Sequence, residues 1–509
     1  MMKNKILIYF PDTGGYNFTP PYELLFQSKA LENSGFEIIL ADARIHEFNK
    51  LVDIHKEQLF LVIISTLIKY TSITISRQYP DGLNAAEYVK KDSDIPVLWT
   101  GLASSILTDR IIEKHFNDYI LTGISDNKIS IFVQCLQSNK SLEYVPSLVY
   151  KVDGKIHKNE DDKFFNSLKD YGNFKLAEID LKPYIHNHTL DYIASTGCVN
   201  SCSFCSVPNI YCRHWNHNSI ENITEHLRHI FDKYPEIKNI HFRDDNFLVN
   251  KSFIHELFQK LDATNLGFVW SAQTSVNILK KYTDEDLIKL RKYGCSNISI
   301  GVESGDEYIL EKATKWKTTK TASIEQIKRL IKSGITVSVT SIISFPYNKG
   351  RDYGKTLKFL MKLKLLYPEL SLYCTVLQPI PGTEVFKEIF GDDKDFSDEL
   401  LSNNYWTSSF RKMKLKKFEN FYFIFDRKDF YKSLPLDLGN ELKMINIFFN
   451  PLIKLRLWLG CTQFLWEYEL TKNKIKKIKE KHGIGSESIL SEVGIRHLTS
   501  NYNYGFNRK

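Results

Sequence analysis

Short apolar segments alternate with helical patterns along most of this chain, and this alternation constrains the fold more than any other feature. Five of the segments lie within residues 1–140: Ile6–Phe10, Phe36–Leu40, Leu59–Ile64, Ile95–Trp99 and Tyr119–Leu121. Apolar strands separated by helices are typical of a parallel sheet with helices on both faces. The pattern therefore predicts an α/β protein in which residues 1–140 form a Rossmann-like, doubly wound parallel sheet. Such sheets bind ligands at the carboxyl ends of their strands.

A second alternation, with a longer period, occupies residues 188–395. Six apolar segments define it: Tyr192–Ser195, Asn239–Phe242, Phe268–Ser271, Asn297–Gly301, Thr336–Ser341 and Ser371–Leu377. Helical patterns such as Ser219–Tyr234 separate these segments. Six strand–helix repeats predict an incomplete (β/α)6 version of the TIM-type barrel. In such barrels the chemistry takes place at the C-terminal ends of the strands.

Two segments follow neither alternation. Residues 141–187 are predicted to be a linker with a β-hairpin, because an Asp-Gly turn at Asp153 and Gly154 separates two short apolar runs. Residues 396–509 are predicted to be mainly helical and to form a cap on the barrel or a substrate-binding region. In the alternative interpretation they make peripheral contact with a membrane, with Trp458 and Trp466 as anchors.

The composition is that of an ordinary globular protein, and it excludes several classes. The 509 residues, 43% hydrophobic and 25% charged, are enough for roughly three domains. The eight scattered cysteines do not form a disulfide scaffold and fit a reducing cytoplasm. No segment approaches the about 20 apolar residues of a membrane span, and the N-terminal run is too short for a signal peptide. The net charge of +8 is mild for this length, so we expect no nucleic-acid partner. The sequence does not indicate an oligomeric state.

Three cysteines follow the first barrel strand at the spacing Cys-x-x-x-Cys-x-x-Cys: Cys198, Cys202 and Cys205. Three thiolates on one short loop can bind three irons of a 4Fe-4S cluster. The fourth iron then lacks a protein ligand, and an open position is typical of a catalytic rather than a structural metal site. A zinc site is the alternative interpretation, with Cys212 or His214 as its fourth ligand.

The cysteine loop and the six repeats that contain it resemble the radical SAM superfamily. The resemblance implies that Cys198, Cys202 and Cys205 bind the 4Fe-4S cluster and that S-adenosylmethionine (SAM) binds its open iron. It also implies that reductive cleavage of SAM yields a 5′-deoxyadenosyl radical, so that the cofactor carries the difficult chemistry. Phe204 resembles the aromatic residue that shields the cluster in this family.

Further motifs that resemble the family follow in order along the barrel. Asp244 and Asp245, after the second strand, resemble a segment close to the methionyl group of SAM. Carboxylates beside a ligand ammonium group make charge-assisted hydrogen bonds. Glu303, within Gly301-Val-Glu-Ser-Gly305, resembles the glutamate that accepts hydrogen bonds from the SAM ribose. Many relatives carry an arginine after the third strand. This chain has none there, and the resemblance leaves Gln273, or the neighbouring Thr274 or Ser275, for that contact.

The N-terminal sheet resembles the cobalamin-binding domain of one radical SAM subclass, whose members are often class B methyltransferases. The resemblance places Ser65, Leu67, Gly101 and Gly123 near cobalamin. The Asp-x-His-x-x-Gly motif that ligates cobalt from below in some members is absent from this chain. Members without that motif leave the lower face of the cobalt unligated.

The resemblance implies a cobalamin-dependent radical SAM enzyme that methylates an unactivated carbon of a small-molecule or lipid-like substrate. Such an enzyme would draw electrons from an external reductant such as flavodoxin or ferredoxin. One alternative is a radical SAM oxidoreductase or cyclase that does not methylate or has lost cobalamin binding. A second alternative is a non-catalytic iron-sulfur binding protein. The sequence identifies no catalytic side chain.

Overall fold

The computed structural model describes residues 3–13, 19–67, 74–160, 179–315, 318–348, 352–367, 369–377 and 379–391, and two isolated positions beyond them. Seven strands form the N-terminal sheet: β1 (Lys5–Phe10), β2 (Glu37–Asp42), β3 (Leu59–Ser65), β4 (Val97–Thr100), β5 (Tyr119–Leu121), β6 (Leu148–Val152) and β7 (Lys155–Lys158). They lie in the order β2-β1-β3-β4-β5-β6-β7. The first five are parallel, which confirms the predicted doubly wound sheet.

The predicted hairpin is present, but it is part of the sheet. β6 pairs antiparallel with β5 and with β7, so the sheet has seven strands where five were expected. Asp153 and Gly154 both have positive φ, 49° and 74°, as a tight two-residue hairpin turn requires. In the described part of this region the helices are α1 (Tyr22–Leu31), α2 (Phe48–His55), α3 (Tyr79–Lys91), α4 (Leu102–Ile106), α5 (Thr108–Glu113) and α6 (Asp126–Gln137).

Six parallel strands form the second sheet, which confirms the predicted partial barrel. They are β8 (Thr189–Tyr192), β11 (Asn239–Phe242), β12 (Val269–Ser275), β13 (Cys295–Glu303), β14 (Thr336–Ile343) and β15 (Ser371–Val376), and they adjoin one another in chain order. Two short strands, β9 (Ser195–Gly197) and β10 (Trp215–His217), pair antiparallel beside this sheet. The barrel helices and their flanking turns are α7 (Val207–Ile210), α8 (Ile220–Lys233), α9 (Lys251–Asp262), α10 (Val276–Leu279), α11 (Asp284–Lys292), α12 (Glu307–Thr314), α13 (Lys320–Lys332), α14 (Tyr353–Leu366) and α15 (Glu384–Phe390).

Alternate side chains of the barrel strands pack outward against these helices. This outward set is apolar and almost fully buried, and it includes Leu190, Tyr192, Ile240, Phe242, Trp270, Ala272, Ile298, Ile300, Val337 and Val339. The core continues into α8, α9, α11, α13 and α14. Because side chains alternate along a strand, the other set faces the concave side of the barrel.

Helix α1 of the N-terminal sheet packs directly against the barrel. Tyr22 and Phe26 belong to the same buried cluster as Tyr192 of β8, and the rings of Tyr22 and Tyr192 meet edge to face at 6.2 Å. The Tyr22 hydroxyl also donates to the carbonyl oxygen of Asp191, at 3.0 Å. The two parallel sheets therefore share a hydrophobic core along β8.

No helix in the described part of the chain is long and apolar enough to cross a membrane. The predicted C-terminal region, residues 396–509, lies outside the described residues apart from two isolated positions, and so do Trp458 and Trp466.

Candidate active site

The cysteine loop begins where β9 ends, at the carboxyl side of the barrel strands. Cys198, Cys202 and Cys205 are all partly exposed free thiols. Burial raises the pKa of each thiol, that of Cys205 to about 12, and the nearby Glu303 carboxylate raises the pKa of Cys202 further. The Cys202 thiol therefore lies near the other two thiols and the Glu303 carboxylate. The spacing and the barrel position predicted the grouping of the thiols, and the resemblance assigned Glu303 to the same site.

Two carboxylates from the segment after β11 hold the start of this loop. Asp244 is fully buried and accepts hydrogen bonds from the backbone N–H and the hydroxyl of Ser195. Asp245 accepts from the backbone N–H of Gly197, at 2.8 Å. Both acids thus fix the strand that leads directly into Cys198. The sequence indicated ligand binding for these acids and gave no signal of this positioning role.

Asn246 contacts the first thiol. Its side-chain amide donates to the Cys198 sulfur at 3.4 Å and to the Ser275 hydroxyl at 3.1 Å. Its carbonyl oxygen accepts from the Thr274 hydroxyl at 2.8 Å. Asn246 is buried, so these three bonds fix the direction of the N–H that points at the sulfur. The resemblance gave no role to Asn246.

The far side of the cysteine loop is hydrogen-bonded to α12 and α15. The backbone N–H of Ser203 donates to the carbonyl oxygen of Ala313 at 2.9 Å, and its carbonyl oxygen accepts from Val385 at 3.1 Å. Phe204 packs edge to face on Phe345, with ring centroids 5.7 Å apart. Phe204 therefore lies in a small apolar cluster against the loop, a position suited to shielding a bound group from water.

Glu303 ends β13 in a strained conformation. Its φ of +56° lies in the left-handed region, which costs a non-glycine residue of order 1 kcal/mol or more and is concentrated at functional sites. The carboxylate folds back over Gly301, where an added Cβ would overlap with Oε1. Burial raises the pKa of Glu303 to about 7. A glycine two residues upstream is therefore required for this carboxylate position.

Gln273 lies on the concave face of β12, next to the acids that hold the loop. Its side-chain amide donates to the carbonyl oxygen of Asp244 at 2.8 Å. Gln273 and Asp245 are both partly exposed, whereas the Asp244 side chain is buried beneath them. The structure thus brings Gln273, Asp245, Glu303 and the three thiols to one edge of the barrel.

The thiols do not converge on a single point. In the described residues, no three His, Cys, Asp or Glu side chains are close enough together to hold one metal ion. Cys212, which the zinc interpretation used as a fourth ligand, is exposed. A 4Fe-4S cluster needs one thiolate at each of three separate irons. Three thiols on one short loop are the donor set that such a cluster takes.

The carboxyl edge of the N-terminal sheet contains buried polar atoms without a hydrogen-bond partner. These are the hydroxyls of Thr13 and Ser65 and the side-chain oxygen of Gln27. Buried polar groups are rarely left unpaired, and such groups in one region call for an explanation. A polar ligand at this edge would supply the missing bonds, and the predicted Ser65 belongs to this group.

The other residues predicted near cobalamin have different surroundings. The Leu67 side chain is buried in the apolar core below the edge. Gly101 has a φ of +88°, and an added Cβ would overlap with the carbonyl oxygen of Thr66, so it serves the turn after β4. Gly123 is partly exposed, and its backbone N–H donates to the Ser105 hydroxyl at 2.8 Å.

Residues 192–360 match the family model described as the radical SAM superfamily. An uncharacterized methyltransferase of Pyrococcus horikoshii is 26% identical over 309 residues, which cover 59% of this chain and 63% of the relative. The bacteriochlorophyllide d C-12(1)-methyltransferase of Chlorobaculum tepidum is 27% identical over 205 residues, which cover 40% of this chain and 43% of the relative. The chain thus spans less than two thirds of the length of these curated relatives.

Two solved structures resemble nearly the whole chain. The radical SAM methyltransferase TsrM from Kitasatospora setae, with cobalamin and a 4Fe-4S cluster bound, superposes with a TM-score of 0.64. It is 13% identical, and the match covers 95% of this chain and all of TsrM. The cobalamin-dependent radical enzyme OxsB, with aqua-cobalamin and SAM bound, superposes with a TM-score of 0.66. It is 14% identical, and the match covers 97% of this chain and 79% of OxsB. At these identities the likeness establishes the fold.

Proposed function

We propose that this chain, in which residues 192–360 form a radical SAM domain, is a cobalamin-dependent enzyme that methylates an unactivated carbon of its substrate. One observation carries the proposal. Three thiols and the Glu303 carboxylate lie at the carboxyl edge of the barrel, and the adjoining sheet has unpartnered polar atoms at its own carboxyl edge. The methyltransferases among the relatives and the fold of TsrM and OxsB support it.

Cys198, Cys202 and Cys205 would hold the 4Fe-4S cluster, and the open iron would receive SAM. When bound, the cluster supplies the electron that cleaves SAM, and cobalamin supplies the methyl group to the substrate carbon. The chain's own residues position these groups. Asp244 and Asp245 hold the start of the cysteine loop, and Phe204 keeps water from its far side.

Glu303 would accept hydrogen bonds from the ribose hydroxyls of SAM, and Gln273 would donate to its carboxylate. Both side chains are partly exposed at the edge where the thiols lie. Ser65, with Thr13 and Gln27, would bind the polar amides of cobalamin through the atoms that lack partners. Gly101 and Gly123 shape the turns beside them.

The described part of the chain does not identify the substrate. The proposal includes a small-molecule or lipid-like substrate and an external reductant such as flavodoxin or ferredoxin. All seven cysteines among the described residues are free thiols, in keeping with the reducing cytoplasm that we propose as the location.

The test is reconstitution under anaerobic conditions with iron, sulfide and hydroxocobalamin, followed by desalting and addition of SAM and a reductant. We expect the wild type to retain corrinoid absorbance and to form 5′-deoxyadenosine. Cys202→Ala should retain the corrinoid and lose 5′-deoxyadenosine. Cys212→Ala is the matched control, because this thiol is exposed, and it should behave as the wild type.

Two results would contradict the proposal in different ways. Formation of 5′-deoxyadenosine without retained corrinoid would favour the oxidoreductase or cyclase. A bound cluster that cleaves no SAM under several reductants, with candidate substrates present, would favour the non-catalytic iron-sulfur protein.

A further inference from the structure

A buried carboxylate from the start of α14 binds the turn that follows β14. The backbone N–H of Ser344 donates to Oδ1 of Asp352 at 3.1 Å, and both residues are fully buried. Asp352 is the residue directly before α14. Burial raises the pKa of Asp352 to about 7, and the backbone N–H groups of Ser344 and Phe345 act in the opposite direction. The carboxylate thus serves as an acceptor for the backbone of the turn.

The same turn contains three locally unfavourable features. Ser344 has a φ of +74°, and this left-handed conformation costs a residue other than glycine of order 1 kcal/mol or more. The Ser344 hydroxyl and Oδ2 of Asp352 are buried and have no hydrogen-bond partner in the described part of the chain. Most buried polar atoms do have partners. Strain and unpaired polar atoms are concentrated at functional sites, so these features point to a role other than stability.

The turn leads directly into two aromatic residues that contact the cysteine loop. Phe345 is fully buried, and its ring packs edge to face on Phe204 of that loop. Tyr347 stacks on Phe345, with ring centroids 6.1 Å apart, and its hydroxyl donates to the Ser203 hydroxyl at 2.6 Å. Both rings follow Ser344 within three residues. The backbone conformation at Ser344 therefore determines where they meet the cysteine loop.

The start of α14 is also held by contacts that do not involve the Asp352 carboxylate. The Thr356 hydroxyl donates to the carbonyl oxygen of Asp352 at 3.2 Å and accepts from the backbone N–H of Gly305 at 3.0 Å. An added Cβ at Gly305 would overlap with the carbonyl oxygen of Lys355, so the loop after β13 lies directly against the first turn of α14. Loss of the Asp352 side chain should therefore release the Ser344 turn and leave the helix in place.

We infer that Asp352 is a positioning residue for the cluster site: it fixes the Ser344 turn, so that Phe345 holds Phe204 against the cysteine loop and keeps solvent from the cluster. Without the carboxylate, the N–H of Ser344 loses its acceptor and the strained conformation loses its support. Phe345 would then shift and leave Phe204 without its packing partner. The inference rests on the proposed function, because it requires a cluster at the three thiols.

The test measures how fast a ferrous chelator, bathophenanthroline disulfonate, removes iron from the reconstituted, desalted protein under anaerobic conditions without SAM. We expect Asp352→Ala to release iron about tenfold faster than the wild type. Asp352→Asn should release iron as slowly as the wild type, because its amide oxygen still accepts from Ser344. Lys358→Ala, at an exposed position of α14, is the matched control and should also match the wild type. Wild-type release from Asp352→Ala, or fast release from Asp352→Asn, would overturn the inference.

A double-variant experiment separates the path through the rings from a general loosening of the fold. Phe345→Leu removes the ring that packs on Phe204 and should also speed iron release. If Asp352 acts through that ring, adding Asp352→Ala to Phe345→Leu should give no further increase. Independent, multiplying increases would overturn the inference. If the wild type takes up no cluster, the proposed function fails and the inference fails with it, which is a different result from equal release rates.

Discussion

Glu303 depends on a residue that has no side chain. Its carboxylate occupies the space where a Cβ of Gly301 would lie, two residues earlier on the same strand. The first group displaced by a larger residue there is the flexible end of Glu303 and not the backbone. The position of this carboxylate can therefore be changed without changing the fold.

Gly301→Ala should weaken SAM binding about tenfold or more, because hydrogen bonds to a charged group contribute about 1.5–3 kcal/mol. Glu303→Gln should have a similar effect. Gly354→Ala is the control, since nothing lies within 4 Å of a Cβ at that position. Calorimetric titration of SAM into the cluster-loaded protein measures the change. Wild-type affinity in Gly301→Ala would exclude this role for Glu303.

Asn246→Leu should make the reduction potential of the cluster more negative. The wild-type amide donates to the Cys198 sulfur at 3.4 Å, and hydrogen bonds to cluster sulfurs stabilise the reduced state. A redox titration followed by electron paramagnetic resonance gives the potential without any substrate. Asn209→Ala changes an exposed asparagine in α7, just after the cysteine loop, and should leave the potential unchanged. A potential in Asn246→Leu equal to that of the wild type would show that this bond does not tune the cluster.

Strands that are apolar runs bounded by polar turns were predicted close to their observed positions. The first barrel strand was predicted at Tyr192–Ser195 but lies at Thr189–Tyr192, where polar and apolar residues alternate. Asn239–Phe242 and Tyr119–Leu121 were predicted at their observed bounds. The position of the hairpin in the sheet could not be predicted from the sequence. Its edge pairing with β5 is a long-range contact, and local patterns report only nearby residues.

The candidate site also has one part that local sequence features predict and another part that they do not. The three cysteines were predicted as a group from their spacing and barrel position, which are local features of the chain. Glu303 was predicted from the resemblance of its motif, and the roles of all four residues stay predictions. The bonds from Asp244 and Asp245 to the cysteine loop join residues nearly fifty positions apart. A single sequence carries no signal for such pairs.

Helix α8 packs on β8 through a buried histidine, and this contact should make stability depend on pH. The Tyr192 hydroxyl and His226 Nδ1 are 3.1 Å apart. Burial, with a smaller effect of His229, lowers the pKa of His226 to about 4. The unfolded chain binds this proton at its ordinary pKa of about 6.5. The contribution of neutral His226 to the free energy of unfolding is therefore complete above pH 6.5 and is lost as the pH falls toward 4.

Between pH 7 and pH 5, this one group should lower the free energy of unfolding by about 2 kcal/mol. His226→Asn keeps an acceptor for the tyrosine and should remove that part of the pH dependence. His229→Asn, on the exposed face of the same helix, should retain it. Denaturant unfolding at several pH values measures the difference. An equal slope in the wild type and His226→Asn would contradict the assignment.

At the scale of the whole molecule, a buried ion pair at the end of β2 contacts the core of the barrel. Asp42, at the end of β2, is bound by the Arg44 guanidinium, with one N–O distance of 2.5 Å, and accepts from the Tyr184 hydroxyl at 2.6 Å. Tyr184 belongs to the core of the barrel. Arg44 also lies over the rings of Phe10 and Tyr184, about 5 Å from each centroid. The carboxyl edge of the N-terminal sheet is thereby fixed beside the barrel.

Loss of the Tyr184 hydroxyl and loss of the Arg44 guanidinium should lower the stability by different amounts. Tyr184→Phe leaves Asp42 paired with Arg44 and should cost only about 1–2 kcal/mol. Arg44→Met leaves a buried carboxylate without its cation, which costs about 3–5 kcal/mol. In scanning calorimetry we therefore expect Arg44→Met to melt the N-terminal sheet before the barrel, whereas Tyr184→Phe should keep one coupled transition. If the two variants melt alike, the ion pair does not couple the sheets, and the apolar contacts of Tyr22 and Phe26 with β8 must hold the two carboxyl edges together.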